Sequence, residues 1–370
     1  MLYLVRKKVA HSGFTEDWFP QKVLKNPKFE RTVSGSLDFP NSLSGEYMYD
    51  VFGFIVKSNI AFPEILSVKE DKPDFIFDFF ADREINSTNY EWFHQYENEK
   101  FCYRVARRDS NFIIRFIELA DFFLSLDLSA VHCYSKSAIP LETIRHLFLD
   151  QVFPMVLSEK GKTILHASAV VTPIGAIIFL GESGQGKSTL CAAFGQQSFA
   201  VLTDDCLLLE QQGHSLLGIP NYPGLRLWPD TVAGLFNDQP SLRRMAHYSD
   251  KKRLESHDSP IRFCSERVPI RAIYSLASTE KMPVAAPITI QPLGPAESLI
   301  ELAKHRFCLG IDDIDKLRKN YQGLSSIVKS LGAIHRLYYP RDLTLLPRVV
   351  ATVLEHSQHG REAAIESVIQ

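Results

Sequence analysis

The sequence lacks the cysteine patterns that mark disulfide-rich and zinc-binding proteins. Its 370 residues include six cysteines, and no two of them form a Cys-x-x-Cys pair. A secreted disulfide framework and a structural zinc site are therefore not expected. The spacing instead favours reduced thiols in a cytoplasmic protein.

Long apolar runs and an excess of charge of one sign are also missing. The most apolar region, residues 164–180, is interrupted by His166, Pro173 and Gly175, so it predicts two short strands and not a membrane span. Lys and Arg total 41 against 43 Asp and Glu, a net charge of -2, which leaves no basic field for nucleic acid or an anionic membrane. Charges close to the N-terminus are unlike a signal peptide. Any binding of phosphate must therefore be local.

Length and composition predict two domains. The chain has 370 residues, whereas a single domain typically has about 150. Its 45% of hydrophobic residues is enough for a large buried core. Residues 47–128 contain short runs rich in Phe, Val, Ile and Tyr, which are typical of an antiparallel sheet. We predict a smaller β-rich N-terminal domain over residues 1–140, with 1–46 unassigned, and an α/β domain over residues 141–370.

The second half alternates strands and helices, as α/β proteins do. A helix over 141–160 is expected, with Pro154 kinking or shortening it. The strand, loop, helix and strand that follow within about thirty residues predict a βαβ unit. The predicted elements are strands 164–171, 176–180, 199–203, 270–277 and 335–339, helices 187–194, 296–305 and 312–331, and a final helix after Pro347.

A complete G-x-x-x-x-G-K-[ST] motif, the Walker A pattern of a phosphate-binding loop (P-loop), carries the strongest chemical signal. Glycines let backbone N–H groups converge on a phosphate, and the following helix adds its positive dipole end. Lys187 could reach the β- and γ-phosphates, the Ser188 hydroxyl could bind Mg²⁺, and Thr189 is a weaker candidate. The motif consists of Gly181, Glu182, Ser183, Gly184, Gln185, Gly186, Lys187 and Ser188.

Two adjacent acids, Asp204 and Asp205, follow the predicted strand 199–203. Their position predicts that they lie at the carboxyl edge of the sheet, where α/β proteins bind ligands. One carboxylate could hold Mg²⁺, for which Asp204 is the candidate, and the other could accept a proton from an attacking hydroxyl. Neighbours on a strand point to opposite sides, so different roles are expected, with Asp205 preferred as the base. A turn or capping pair is the structural alternative.

Several further candidates have ordinary structural explanations as well. His166 stands among apolar residues and could be a core histidine or a site residue. Arg226, and the run Lys251, Lys252 and Arg253, could neutralise a transferring phosphate or form a solvated surface. His305 and Arg306 are weaker candidates, and Arg341 with Asp342 fits a structural cap.

The segments LHASAV, FLGESGQGKSTL, LTDDCLLLE, YPGLRLWPD, KKRL and YYPRDLTLLP together resemble HPr kinase-like proteins. The form of these segments is similar to a divergent branch that includes lasso-peptide precursor serine kinases. The resemblance implies a P-loop kinase domain whose nucleotide site is similar to that of ATP-dependent phosphoenolpyruvate carboxykinase. It also implies ATP and Mg²⁺ as cofactors, with His166, Gly181–Ser188 and Asp204–Asp205 on site positions. Ala167 stands where HPr kinases have glycine, so the acceptor stays open.

These observations predict a kinase that transfers the γ-phosphoryl group of ATP to a hydroxyl, in the first place a serine of a peptide or protein. A small alcohol, such as free serine or a sugar, is an alternative acceptor. A regulatory protein that binds ATP without transfer is the alternative from another class. The resemblance also implies a homo-oligomer, since HPr kinases are hexameric.

Overall fold

The structure is a computed structural model that describes residues 45–369 except 84–89, 98–101, 109–110, 136–137, 214, 237–239, 255–258, 278–281, 284 and 311–313. Residues Ser42–Gln370 pack as one compact unit. The described residues form a mixed α/β protein with two large sheets and one small sheet. The predicted domain boundary at residue 140 stays a prediction, and residues 1–44 of the unassigned segment lie outside the described residues.

The first sheet contains eight strands and is mixed, so the prediction of an antiparallel sheet is wrong in part. Strand β3 pairs in parallel with both of its neighbours, β2 and β8. The connection of residues 59–74 is long enough for the crossover that a parallel pair needs, and strand patterning does not reveal such a crossover. The spatial order is β1-β2-β3-β8-β7-β6-β5-β4. The strands are β1 Tyr47–Val51, β2 Phe54–Ser58, β3 Phe75–Ala81, β4 Glu91–Glu97, β5 Cys102–Arg108, β6 Asn111–Phe116, β7 Ala120–Leu124 and β8 Ala130–Ser135.

The helical segment after the first sheet changes its pitch halfway along. Helix α1 covers Leu141–Leu147, a π-helical turn covers Phe148–Val152, and α2 covers Phe153–Glu159. Pro154 lies in the first turn of α2 and cannot donate to the carbonyl of Asp150 four residues earlier. The Cys206 thiol lies 3.6 Å from that carbonyl and donates to it instead. The helical segment therefore continues past Pro154 to Glu159, so the predicted shortening is wrong, and the irregularity is a π-helical turn just before the proline.

One hydrophobic core joins the eight-stranded sheet to this helical segment. The rings of Phe77 and Phe148 stack with their centroids 4.0 Å apart, and those of Phe75 and Phe153 meet edge to face at 5.0 Å. The same buried cluster includes Leu208 from the second half of the chain. Apolar packing therefore crosses residue 140 without interruption.

The second large sheet carries the predicted α/β elements. Its order is β12-β10-β11-β18-β14-β13-β9, and β20 pairs with both β18 and β19. A separate small sheet has the order β15-β17-β16. The strands are β9 Thr163–Leu165, β10 Ala167–Thr172, β11 Gly175–Leu180, β12 Ala200–Thr203, β13 Leu207–Gln212, β14 Ser215–Pro220, β15 Leu225–Leu227, β16 Leu242–Arg244, β17 Lys252–Leu254, β18 Val268–Leu276, β19 Thr289–Pro292 and β20 His335–Tyr338. The helices are α3 Lys187–Gln196, α4 Pro229–Leu235, α5 Pro295–Lys304, α6 Ile314–Leu331 and α7 Leu346–Ile369, with a 3₁₀ turn at Leu343–Leu345.

The sheet differs from the sequence prediction in two ways: β13, β14 and β19 were not predicted, and one predicted strand is divided. The predicted strand over 164–171 is interrupted at His166, because β9 pairs with β13 whereas β10 pairs with β11 and β12. The backbone N–H of His166 donates to the carbonyl of His305 (2.6 Å) in place of a ladder partner. The predicted order of β11, α3 and β12 is confirmed, although β10 lies between the two strands. Within the described residues, no helix combines the length and apolar content needed to cross a lipid bilayer.

Candidate active site

The Gly-rich motif forms a loop between β11 and α3. Gly184 and Gly186 have φ angles of +87° and +93°, a left-handed conformation that glycine adopts without strain. A Cβ atom on Gly186 would lie 3.2 Å from the Tyr339 hydroxyl, so bulk is restricted there as well. Arg341 Nη2 donates to the carbonyl of Gly184 (2.6 Å). The segment that follows β20 therefore supports the loop from outside.

The loop and the start of α3 offer backbone N–H groups to an anion. The first amides of a helix have no carbonyl partner inside it, and the helix dipole makes this end positive. Gln185 Oε1 accepts a hydrogen bond from the N–H of Glu182 (2.7 Å), so a side-chain oxygen already occupies one loop amide. A Cβ on Gly184 would meet nothing within 4 Å, which leaves open space beside the loop. These features fit a bound phosphate group.

The Lys187 ammonium lies inside the site and is surrounded by acceptors. Its Nζ donates to the carbonyl of Gly181 (2.8 Å) and contacts that of Glu182 (3.3 Å) and Nε2 of His166 (3.1 Å). The residue is only 5% exposed. Burial lowers the pKa of Lys187, and the negative charge of Asp205 opposes that effect. The cation is thus already held at the loop where a phosphate would bind.

Asp204 is buried and fully engaged beside the loop. Its Oδ1 accepts hydrogen bonds from the Ser168 hydroxyl (2.5 Å) and the Ser188 hydroxyl (2.9 Å), and its Oδ2 accepts from the N–H of Arg226 (2.8 Å). Burial and the neighbouring charge of Asp205 raise the pKa of Asp204. The hydrogen bonds from Ser168 and the N–H of Arg226 stabilise the ionised form and offset part of that rise.

Asp205 has a different environment from its neighbour. Its side chain is 15% exposed, whereas that of Asp204 is 0% exposed. Its backbone has a φ of +75°, which turns the residue out of the strand direction. Burial alone would raise the pKa of Asp205, but the charges of Arg226, Lys251 and Lys187 outweigh burial and hold that pKa below its usual value. The carboxylate is therefore charged and reachable.

His166 connects the lysine to the aspartate pair Asp204 and Asp205. Its Nδ1 lies 3.1 Å from the carbonyl of Asp205 and 4.0 Å from Oδ1 of the same residue, and its Nε2 faces Lys187. Burial and the Lys187 charge lower the pKa of His166 to about 3. The imidazole is therefore neutral at physiological pH, and its contacts require the proton to be on Nδ1. A neutral His166 holds Lys187 and does not supply a proton.

We predict that acid destabilises the protein through its buried histidines. Burial is the main cause that lowers the pKa of His305 and His335 to about 4 and of His166 to about 3. An unfolded histidine titrates near 6.5, so the unfolded chain binds more protons below that pH, and stability falls from about pH 6.5 down towards 4. Calorimetry should show a Tm lower at pH 5 than at pH 7 by about 5 °C or more. His335→Asn should reduce the difference in Tm between pH 7 and pH 5. A Tm independent of pH over this range would contradict the prediction.

The basic candidates separate into three environments. Arg226 is 3% exposed, and its Nε lies 3.2 Å from Asp205 Oδ2 while its Nη1 donates to the carbonyl of Asp204 (2.5 Å). Arg253 is 2% exposed and pairs with Glu64 (2.9 Å). Lys251 lies over the Trp228 ring at 5.7 Å, and its charge reaches Asp205 and Lys187. Lys252 is exposed. Arg226 and Lys251 therefore belong to the site, whereas Arg253 lies behind it.

The remaining candidates have structural contacts. The Thr189 hydroxyl lies 3.3 Å from the Thr231 hydroxyl of α4. Arg306 Nη2 donates to Asn320 Oδ1 (2.9 Å), so it ties its segment to α6. Asp342 accepts from the N–H of Thr344 and caps the 3₁₀ turn, which confirms the predicted cap for this residue.

The oxygen atoms beside the P-loop fit Mg²⁺. Ser188 Oγ and Asp204 Oδ1 are hard donors 2.9 Å apart, and Mg²⁺ in nucleotide sites is bound by one or two protein oxygens plus phosphate and water. Within the described residues, no group of three or more His, Cys, Asp or Glu side chains could hold a metal ion by itself. The two oxygens of Ser188 and Asp204 therefore fit a metal ion whose other ligands are phosphate oxygens and water.

Comparison with known proteins gives a limited result. No protein-family model and no curated protein matches the chain. A solved structure of the Hpr(Ser) kinase/phosphatase from Coxiella burnetii is similar to the chain with 15% sequence identity and a TM-score of 0.29. The match covers 54% of this chain and 98% of that chain. A TM-score this low supports no statement about activity. The functional argument therefore rests on the geometry of the site.

Sequence reasoning missed Ser168, Tyr222 and Asp150. Ser168 lies within the segment LHASAV, two residues after His166 in the predicted strand 164–171, where alternation would put both side chains on one face. That alternation was a usable signal. Tyr222 and Asp150 contact Arg226 through hydrogen bonds of 2.5 and 2.6 Å. Asp150 is separated from Arg226 by more than seventy residues, and nothing local in the sequence points to their contact.

Proposed function

We propose that the chain is an ATP- and Mg²⁺-dependent kinase that transfers the γ-phosphoryl group to a hydroxyl, in the first place a serine of a peptide or protein. The observation that carries this proposal is the unequal environment of two adjacent carboxylates beside one P-loop. Asp204 is fixed against Ser188, whereas Asp205 is charged and partly exposed. A site that only binds nucleotide needs the first carboxylate but has no use for the second.

Each residue then has a separate part in the proposed reaction. Ser188 and Asp204 would hold Mg²⁺, which when bound neutralises charge on the phosphates. Lys187 and the loop amides bind the phosphate oxygens, and the nearby charge of Lys251 adds to theirs.

Asp205 orients the acceptor hydroxyl and takes its proton late in the reaction. Its lowered pKa makes it a weak base, which suits a loose transition state in which the hydroxyl loses its proton only after the new P–O bond has begun to form. Binding of phosphates beside Lys187 and Lys251 would offset the positive charge that depresses this pKa. The carboxylate would then be a stronger proton acceptor in the loaded site than in the free one.

Mass spectrometry of acceptors after incubation with ATP and Mg²⁺ tests the proposal. A panel of serine peptides, the same peptides with serine replaced by alanine, free serine and sugars separates the acceptor classes. We expect a mass increase of one phosphoryl group, about 80 Da, on serine peptides only, and none with the alanine peptides. Labelling of free serine or a sugar would shift the assignment to a small-molecule kinase. Tight binding of ATP with no phosphorylated acceptor would favour a regulatory protein and would contradict the proposal.

A further inference from the structure

Asp150 is a buried acid that the proposed reaction does not use. It lies in the π-helical turn Phe148–Val152, where the N–H of Phe153 bonds to the carbonyl of Phe148. A π-helical turn displaces its side chains from the positions that a regular helix would give them, and such turns occur frequently at functional sites. The Asp150 side chain is 0% exposed. A charge in such a place requires compensation from its neighbours.

Three side chains supply this compensation. Arg226 Nη2 donates to Asp150 Oδ1 (2.6 Å), the Tyr222 hydroxyl donates to Oδ2 (2.8 Å), and His146 Nδ1 lies 2.7 Å from Oδ2. Burial alone would raise the pKa of Asp150, but the charge of Arg226 and the hydrogen bond with His146 more than offset it. The Tyr222 hydroxyl also accepts from Arg226 Nη2 (2.5 Å). One end of the Arg226 guanidinium is therefore fixed by a closed set of contacts.

The other end of the same guanidinium contacts the aspartate pair. Arg226 Nη1 donates to the carbonyl of Asp204, and its Nε lies 3.2 Å from Asp205 Oδ2. The backbone N–H of Arg226 donates to Asp204 Oδ2. A planar guanidinium cannot turn at one end without turning at the other. The orientation imposed by Asp150 is thus transmitted to both acids.

We propose that Asp150 is a positioning residue, which fixes the Arg226 guanidinium and thereby holds Asp204 and Asp205 in their working geometry. The inference rests on one part of the proposed function, namely that Asp204 and Asp205 take part in metal binding and phosphoryl transfer. Asp150 itself touches neither the loop nor the reacting atoms. Outer contacts of this kind typically change metal affinity or activity about 10- to 100-fold when they are removed.

Glu64 provides a matched control. It is also a buried acid, 3% exposed at its side chain, and it also compensates a buried arginine. Its Oε1 lies 2.9 Å from Arg253 Nη1 and 2.9 Å from Arg145 Nε, so its ion pairs do not involve Arg226. Glu64→Gln and Asp150→Asn make the same chemical change at a buried arginine partner, although Oε2 of Glu64 has no hydrogen-bond partner among the described residues, whereas both oxygens of Asp150 are bonded. A general loss of packing should affect both variants equally.

The experiment compares the full chain, Asp150→Asn and Glu64→Gln by three measurements. The first is the ratio of nucleotide Kd in EDTA to Kd with Mg²⁺, obtained with a fluorescent ADP analogue. The second is kcat and KM for ATP in acceptor labelling or, with water as acceptor, in ATP hydrolysis. The third is Tm.

For Asp150→Asn, we expect the Kd ratio to fall about fivefold or more and kcat to fall about 10- to 100-fold, with KM for ATP unchanged. Glu64→Gln should lower Tm to a similar extent and leave the ratio and kcat unchanged.

Equal effects of the two variants on the Kd ratio and kcat would overturn the inference, because they would indicate a structural role for both acids. An unchanged ratio and kcat in Asp150→Asn would overturn it as well. A wild-type chain that binds nucleotide more tightly with Mg²⁺ but transfers no phosphate would refute the proposed function alone, and the Kd ratio would still test Asp150. A wild-type ratio of one would refute the metal role of Asp204 and the inference with it.

Discussion

Replacement of Lys187 by methionine should reduce phosphoryl transfer by about 10³-fold or more. The Lys187 ammonium is 5% exposed and lies among the carbonyls of Gly181 and Glu182 at the P-loop, so no other cation can take its place without rearranging the loop. Methionine has a similar length and fills the same buried space, and it removes only the charge. The measurement is the initial rate of labelled phosphate transfer from ATP, with Tm as the check on folding.

The control for this prediction is Lys252→Met. Lys252 is exposed in β17, and its replacement should leave the transfer rate unchanged. Lys187→Met removes the desolvation cost of a buried ammonium but also takes the donor away from the Gly181 carbonyl and His166 Nε2, so Tm is the check that the variant is folded. Transfer activity above a tenth of the original rate in a folded Lys187→Met variant would contradict the mechanism.

The two aspartates should respond differently to the same substitution. Asp205→Asn should lower kcat by about 10³-fold and leave Mg²⁺-dependent nucleotide binding intact, since it removes the proton acceptor and keeps the contact between Asp204 and Ser188. Asp204→Asn should instead weaken nucleotide binding in Mg²⁺ and leave binding in EDTA unchanged. Asparagine tolerates the left-handed backbone at Asp205, where φ is +75°, so this variant should fold without strain. Nucleotide titrations with and without Mg²⁺, combined with single-turnover rates, measure both effects.

The reverse pattern would reassign the acids. If Asp205→Asn lost the Mg²⁺ dependence and Asp204→Asn kept it, the metal would be held by Asp205. That outcome would conflict with the contacts of Asp204, whose Oδ1 lies 2.9 Å from the Ser188 hydroxyl. Equal losses in the two variants would show that the pair acts as one unit, which is common for neighbouring groups in a site.

The parts of the site that were predictable are contiguous in sequence. The P-loop follows from eight consecutive residues, because phosphate binding by a turn and a helix end is a local property of the backbone. The position of the aspartate pair follows from the strand before it. Helix periodicity likewise predicted the segment 141–160. In each case the physical cause lies within one turn or one strand.

The parts that could not be predicted depend on distant contacts. The sequence gives no reason to separate Arg226 from Arg253, since both are arginines in short strands that pair with one another. They differ because Asp150 and the aspartate pair surround the first, whereas Glu64 accompanies the second. The parallel pairing of β3 was missed for the same reason, because pairing partners are set by tertiary packing and not by strand composition.

The continuous core that joins the eight-stranded sheet to the rest of the chain limits how this protein can change in evolution. Phe75 and Phe77 of the sheet share one buried cluster with Phe148, Phe153 and Leu208. Substitutions on one side of that cluster require compensating substitutions on the other, because cores tolerate little change in volume. Exchange of residues 47–135 between relatives would therefore expose mismatched apolar surfaces. This part of the chain should therefore change by compensated single substitutions, and recombination of whole segments should be a rare route.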